Sequence, residues 1–315
     1  MATPTAGAVR RRGGALTMPR PGPRLPVAVP EPLTWLAPLL ALACAFFLWP
    51  VINVIRLAFT NSILLRDHYS YTLKTIATSV TDPALPGVLV VTAVFVAASV
   101  AGQLLLGLLI ALIIERAAAR HLRGAVLVRS VVLSAWVMPG ILIGVIWQIV
   151  LNEGPFGLVN SALAAVGLGP VSWLSDPHLA VLSVVVANIW RGTAFTMLLL
   201  YAALQTVNRE LYDAALVDGA GRLRLLWHIT LPQIRPVLLI NVILITIATL
   251  NTFDMVLALT GGGPAQATEV LSLHTYNTVF VNFNLASGCV FALMLLLASL
   301  VLTALYRRLL AEGEL

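Results

Sequence analysis

The chain of 315 residues is 59% hydrophobic and only 10% charged, and it carries a formal net charge of +6. Soluble domains average about 25% charged residues, so a soluble fold is excluded and a membrane-embedded chain is implied. Two cysteines exclude a disulfide framework, and eighteen arginines spread over short separate segments exclude a nucleic-acid-binding face.

Residues 1–32 hold Arg10, Arg11, Arg12, Arg20 and Arg24 among prolines and glycines. That composition cannot bury a core and is expected to form a flexible tail. It does not read as a secretory signal, because the apolar run that follows continues past Cys44, beyond the roughly 7–15 residues of a signal's apolar region. Residues 33–309 are expected to form one transmembrane domain with six spans, at 33–59, 88–114, 125–151, 179–204, 237–259 and 285–306, followed by a short tail at 310–315. Each run reaches the ~20 apolar residues that cross about 30 Å of hydrocarbon, and the lengths predict tilt. The runs lack the period-two alternation of barrel strands, so the fold class is an all-α membrane protein with six transmembrane helices. Pro50 in the first span and Pro139-Gly140 in the third predict bends, since proline removes a donor and clashes with the preceding turn. Cys44 and Cys289 fall inside predicted spans and read as buried thiols that pack as small hydrophobes.

Orientation follows from the basic residues at the span ends. Besides the five arginines of the first segment, Arg116, Arg120, Arg123 and Arg129 lie between the second and third spans, Arg209, Arg222, Arg224 and Arg235 between the fourth and fifth, and Arg307 and Arg308 after the sixth. All lie on one side, against little more than Arg66, Lys74 and Arg56 on the other, so both termini are expected in the cytoplasm. His68, His121, His178, His228 and His274 are scattered over both sides, so neither a catalytic cluster nor a metal site is expected. Gly261-Gly262-Gly263-Pro264 lacks the Lys-Ser/Thr of a phosphate loop and reads as a sharp turn ending the fifth span.

The most distinctive segment is the cytoplasmic loop at 207–233. Residues 210–217 are good helix formers, Gly219 and Gly221 permit a reversal, residues 222–229 predict a second short helix, and Pro232 restarts the chain towards the membrane. On residues alone, a partner-docking hairpin and an amphipathic hairpin lying on the inner leaflet both fit. Asp213-Ala214-Ala215, then Gly219, then Ile229-Thr230-Leu231-Pro232 resembles the EAA loop of binding-protein-dependent ABC importer permeases. The resemblance covers nearly the whole chain and points to the carbohydrate branch, through Trp147 to Asn160, Asn188, Trp190, Arg191 and Gly192, Thr252-Phe253-Asp254, the glycine run, Ala267-Thr268 and Tyr276. One departure is Asp213, where the family usually has glutamate; the carboxylate is kept but one methylene shorter.

The resemblance implies a type I importer permease fold in a bacterial inner membrane, crossing it several times. It implies that Asp213, Ala214, Ala215, Gly219, Leu231 and Pro232 couple to partner ATPase subunits, present in two copies, which bind ATP and Mg; this chain would hold no cofactor and be no enzyme. Further implied partners are a second, different permease subunit, an extracytoplasmic solute-binding protein, membrane lipid and a small sugar substrate. Glycerol 3-phosphate is the alternative substrate class. A secondary transporter would need half-repeats and broken helices near an ion site, and no matching half-repeats are seen.

A sugar site in this architecture needs polar groups facing the bundle interior, because against lipid they are costly. Asn188, Arg191, Gly192 and Phe195 fall at offsets of three, four and seven on one helical face, and Asn251 and Asp254 share a face of the fifth span with Thr252 beside them. By resemblance, sugar-contacting positions align to Asn188, Gly192, Phe195, Asn251 and Thr252. Arg191 and Asp254 have three readings: an intramembrane ion pair, a substrate role, or snorkelling to the interface. Trp147 and Trp190 read either as sugar-stacking rings or as interfacial anchors.

Overall fold

The computed structural model describes residues 32–66, 68–119, 124–154 and 156–311, so nearly all of the expected tail at 1–32 lies outside the described residues, as does 312–315. The chain divides into two compact units, 1–49 and 50–315. In the first, helix α1 (Pro32–Ala43) runs into a π-helical turn, Cys44–Leu48. Leu39, Phe46 and Phe47 there are all more than half exposed, as lipid-facing side chains would be. Cys44 is exposed as well, contrary to the buried thiol expected; only Cys289 is buried.

The second unit begins in α2 (Trp49–Ala58) and continues through α3 (Lys74–Val80), α4 (Leu85–Ala119), α5 (Gly124–Val137), α6 (Gly140–Val150), α7 (Leu158–Ala165), α8 (Pro177–Leu204), α9 (Arg209–Val217) and α10 (Arg222–Leu225). It ends with α11 (Leu231–Leu250), α12 (Asp254–Thr260), α13 (Leu271–Tyr276) and α14 (Leu285–Ala311). The described residues contain no strand, only one isolated β-bridge, Thr60 to Tyr71. Among the described residues, five helical runs are long and apolar enough to cross a membrane: Leu36–Ala58, Leu85–Ala118, Pro177–Leu204, Arg222–Leu250 and Leu285–Arg308. A sixth is reached by counting the bent pair Leu127–Val137 and Gly140–Val150 as one.

α8 is the central element. It starts on Asp176, whose Oδ1 accepts from the backbone N–H groups of His178 and Leu179 at 2.9 Å each, with Pro177 in the first turn where no N–H is needed. α4 packs along it closely because Gly102 and Gly107 have no side chains: a Cβ would overlap Ile189 at the first and Thr196 at the second. One apolar core joins Phe95, Ile143, Val184, Met255, Leu259 and Leu273; a second, nearer the 207–233 loop, joins Ile114, Met197, Leu200, Leu204 and Ile234.

Three further sequence expectations are corrected. The third span is no single bent helix: α5 stops at Val137, and α6 leaves at 106° with Pro139 as an extended cap at φ −57°, ψ 141°. Proline drives the residue before it out of the helical region, which ends the helix instead of merely curving it. The fifth span ends at Leu250, not at 259; residues 251–253 break the helix and α12 starts anew, packing on α6. Gly144 makes that contact possible, since a Cβ there would meet Ala258 Cβ and the Met255 carbonyl at 2.6 Å. Finally, Pro232 does not restart the chain. α10 passes through a π-helical turn, Leu226–Thr230, directly into α11 as one 29-residue run. A wider turn absorbs a proline that cannot donate to the preceding turn.

Candidate translocation site and coupling segment

In the 207–233 loop, Asn208 caps α9 by accepting the Glu210 N–H at 3.0 Å. The helix ends in paired bonds, Gly219 N–H to the Leu216 carbonyl at 3.1 Å and Ala220 N–H to the Ala215 carbonyl at 2.9 Å. This αL helix stop requires positive φ at Gly219, which sits at +75°. Nothing lies within 4 Å of a Cβ there, so the demand for glycine is conformational rather than steric. Tyr212 Oη and Thr230 Oγ1 share a hydrogen bond at 3.0 Å, tying α9 to the π-turn. Neither α9 nor α10 buries any residue, and Leu216, Val217, Leu223 and Trp227 are more than half exposed. Asp213 and Ala214 are exposed on the same short helix, Ala215 and Leu231 are half-buried, and Pro232 is exposed. Leu216, Val217, Leu223 and Trp227 leave an exposed apolar patch on the loop.

Further along α8, a cavity of about 320 Å³ is lined by Asn188, Arg191, Gly192 and Phe195 with Thr252, Thr249, Gln103 and Trp136. Five of the seven expected substrate residues therefore converge. Asp254 does not line the cavity but meets Arg191, with Oδ1 3.6 Å from the guanidinium Nη1. Asn251 stands apart: it caps α11, is exposed, and its Nδ2 donates to the Ile247 carbonyl at 2.8 Å. The expected face shared by Asn251 and Asp254 required an unbroken helix, and the break at 251–253 removes it.

Three polar or aromatic lining residues, Gln103, Trp136 and Thr249, were not anticipated from sequence. Gln103 Nε2 donates to the Asn188 carbonyl at 3.2 Å and reaches Thr249 Oγ1 at 3.5 Å, and Asn188 Nδ2 reaches the same hydroxyl at 3.4 Å. The amide of Gln103 fills the space a side chain at position 192 would take. Trp136 lies over Phe195 with ring centroids 5.9 Å apart, giving the cavity an aromatic wall. A glutamine inside an otherwise apolar span was the one available signal for Gln103. Trp147 and Trp190 pack edge-to-face on each other at 6.2 Å and are not in the cavity wall. Thr252 Oγ1 donates to the Ala248 carbonyl at 2.9 Å, and its own carbonyl accepts from Ser272 Oγ at 2.8 Å, fixing the break beside the cavity.

A second polar cluster lies outside the apolar spans, joining the segment before α13 to α13 itself and to the π-turn Asn277–Val281 that follows it. Glu269 Oε1 accepts from His274 Nδ1 at 3.1 Å and from Asn277 Nδ2 at 3.2 Å. The His274 bond holds the Glu269 carboxyl below its ordinary range, outweighing the opposite push of burial, with the Asn277 bond adding to it.

Residues 103–311 match the family of binding-protein-dependent transport system inner membrane components. A trehalose/maltose transport system permease protein, MalF, from Thermococcus litoralis is 41% identical over 187 residues, spanning 59% of this chain and 62% of that protein. The sulfoquinovosyl glycerol permease SmoG of Agrobacterium fabrum is 32% identical over 186 residues and is likewise covered over only 60% of its length. An sn-glycerol-3-phosphate transport system permease, UgpA, from Brucella abortus is 31% identical over 87% of this chain and 92% of its own. In fold, the chain matches a bacterial ABC transporter for import of the acidic polysaccharide alginate, with a TM-score of 0.77 over 89% of this chain and 94% of the other at 20% identity. This chain, an all-α membrane protein with the fold of an importer permease, belongs to the family of binding-protein-dependent transport system inner membrane components.

Proposed function

We propose that the chain is the permease subunit of an ATP-driven importer that passes a neutral sugar, delivered by an extracytoplasmic binding protein, through the cavity beside α8. The observation that carries this reading is the chemistry of that cavity. Amide and hydroxyl groups of Asn188, Thr249 and Thr252 can exchange hydrogen bonds with sugar hydroxyls, and Phe195 with Trp136 offers a flat apolar surface to a sugar face. Gly192 lets the Gln103 amide pack into the cavity wall. Relatives whose names cite trehalose/maltose and lactose transport support the same class.

In this reading both termini are cytoplasmic, and α9 with Asp213, Ala214, Ala215 and Gly219, together with Leu231 and Pro232, docks on two copies of an ATPase subunit that bind ATP and Mg. A second, different permease completes the pathway. ATP drives transport only if it binds one of the two access states better than the other, because equal affinity shifts nothing. The continuous run Arg222–Leu250 supports a direct mechanical link, since it carries the docking end and the cavity end in one helix. A second reading, import of a phosphate ester, draws on Arg191 in the cavity wall and on the glycerol-3-phosphate relative.

Reconstituting this chain with its neighbouring permease, ATPase and binding protein, and measuring ATP-dependent uptake of a saccharide panel, tests the proposal. Uptake of a neutral saccharide is expected. Uptake restricted to phosphate esters would instead select the second reading.

A further inference from the structure

Among the described residues, Arg191–Asp254 is the one ion pair between an arginine and a carboxylate, with both side chains about 30% exposed. Arg191 lines the cavity and Asp254 stands behind it. Asp254 opens α12 and is wedged against Gly140, the first residue of α6, so closely that a Cβ on that glycine would overlap the carboxylate. Three separate helices thus fix its position: α12 carries it, α8 pairs with it through Arg191, and α6 leaves room for it by placing glycine there. The start of α6 is also where the backbone dipole favours negative charge. The cavity's single cation is therefore matched by an internal anion before any solute arrives.

We propose that Asp254 sets the charge selectivity of the cavity: by neutralising Arg191 from behind, it leaves a wall that hydrogen-bonds uncharged hydroxyl-rich solutes and gives no net attraction to phosphorylated ones. This inference rests on the sugar reading above. Asp254 acts through Arg191 and is a positioning residue. In a cavity partly shielded from water, an unpaired guanidinium attracts a phosphate strongly. Asp254→Asn should therefore open the site to sugar phosphates. Reciprocally, Arg191→Gln leaves Asp254 unpaired and should favour a cationic amino sugar.

The test uses the complete complex of both permeases and the ATPase in lipid nanodiscs, without binding protein, so that delivery imposes no filter. Direct binding of trehalose, trehalose 6-phosphate and trehalosamine is measured for the native complex and both variants at low and high salt. Expected are a native preference for trehalose over its phosphate, a shift of that ratio by about tenfold or more towards the phosphate in Asp254→Asn, weakened by salt, and a shift towards trehalosamine in Arg191→Gln. An unmoved ratio in Asp254→Asn overturns the inference, as does loss of assembly in both variants, which would make the pair a structural strut. A native complex that binds none of the three, with Asp254→Asn still gaining the phosphate, rejects the sugar reading and keeps the charge inference. A native complex that prefers the phosphate rejects both.

Discussion

A Cβ placed on Gly192 of α8 would overlap the side-chain amide of Gln103 on α4, so the two positions form one packed unit at the crossing of the two helices. The glycine is what allows the amide to reach the Asn188 carbonyl and Thr249. Gly192→Ala is expected to displace Gln103, at a cost of about 1–3 kcal/mol for overpacking, and to lower uptake at least several-fold. Gln103→Ala added to it should restore stability, because the space is returned, but not uptake. Thermal unfolding of the complex alongside transport checks both; restored uptake in the double variant would show that the amide has no part in handling solute.

Phe195→Ala removes the ring that packs against Trp136 and should reduce uptake by tenfold or more while the complex still assembles. Asn251→Ala should change uptake less than twofold, since Asn251 is exposed and bonds only its own helix. Equal losses in the two variants would return Asn251 to the site.

Much of this was legible in the sequence. The offsets 188, 191, 192 and 195 fix one helical face whatever surrounds it, and the 207–233 loop announces its turn by glycines whose role, at Gly219, is a positive φ. What escaped depends on breaks and on partners across helices. Asn251, Thr252 and Asp254 interrupt an otherwise apolar run from 237 to 259 but leave its average apolar, so the average does not mark the end at Leu250; α12 is drawn onto α6 through Gly144. Pro139 announced a bend but not its size. Gln103 and Trp136 reach the cavity from helices that no local pattern relates to α8.

Gly219→Pro should separate ATP hydrolysis from uptake or disassemble the complex. Proline fixes φ near −65°, whereas this position needs +75°. Gly219→Ala, strained but not forbidden, should cost about 1 kcal/mol and leave partial coupling. The ratio of sugar imported to ATP hydrolysed is the discriminating quantity, and a native ratio in the proline variant would refute the role given to this turn.

Glu269 couples stability to pH. Its folded carboxyl titrates below its ordinary value of 4.5, so its contribution is complete above that value and is lost as pH falls through the lowered one. Glu269→Gln, which weakens the bonds from His274 and Asn277, should lower stability by about 1.5–3 kcal/mol at neutral pH and flatten the acid limb of the melting profile below about pH 4.5. Parallel native and variant profiles through that range would remove Glu269 as the source.

The most direct test of the central claim is ATP hydrolysis by the reconstituted complex with its binding protein, followed as neutral saccharides and phosphate esters are added in turn. Stimulation by one neutral saccharide, abolished by Phe195→Ala in this chain, is the predicted result. Stimulation by phosphate esters alone, or by a saccharide with no dependence on Phe195, would contradict it.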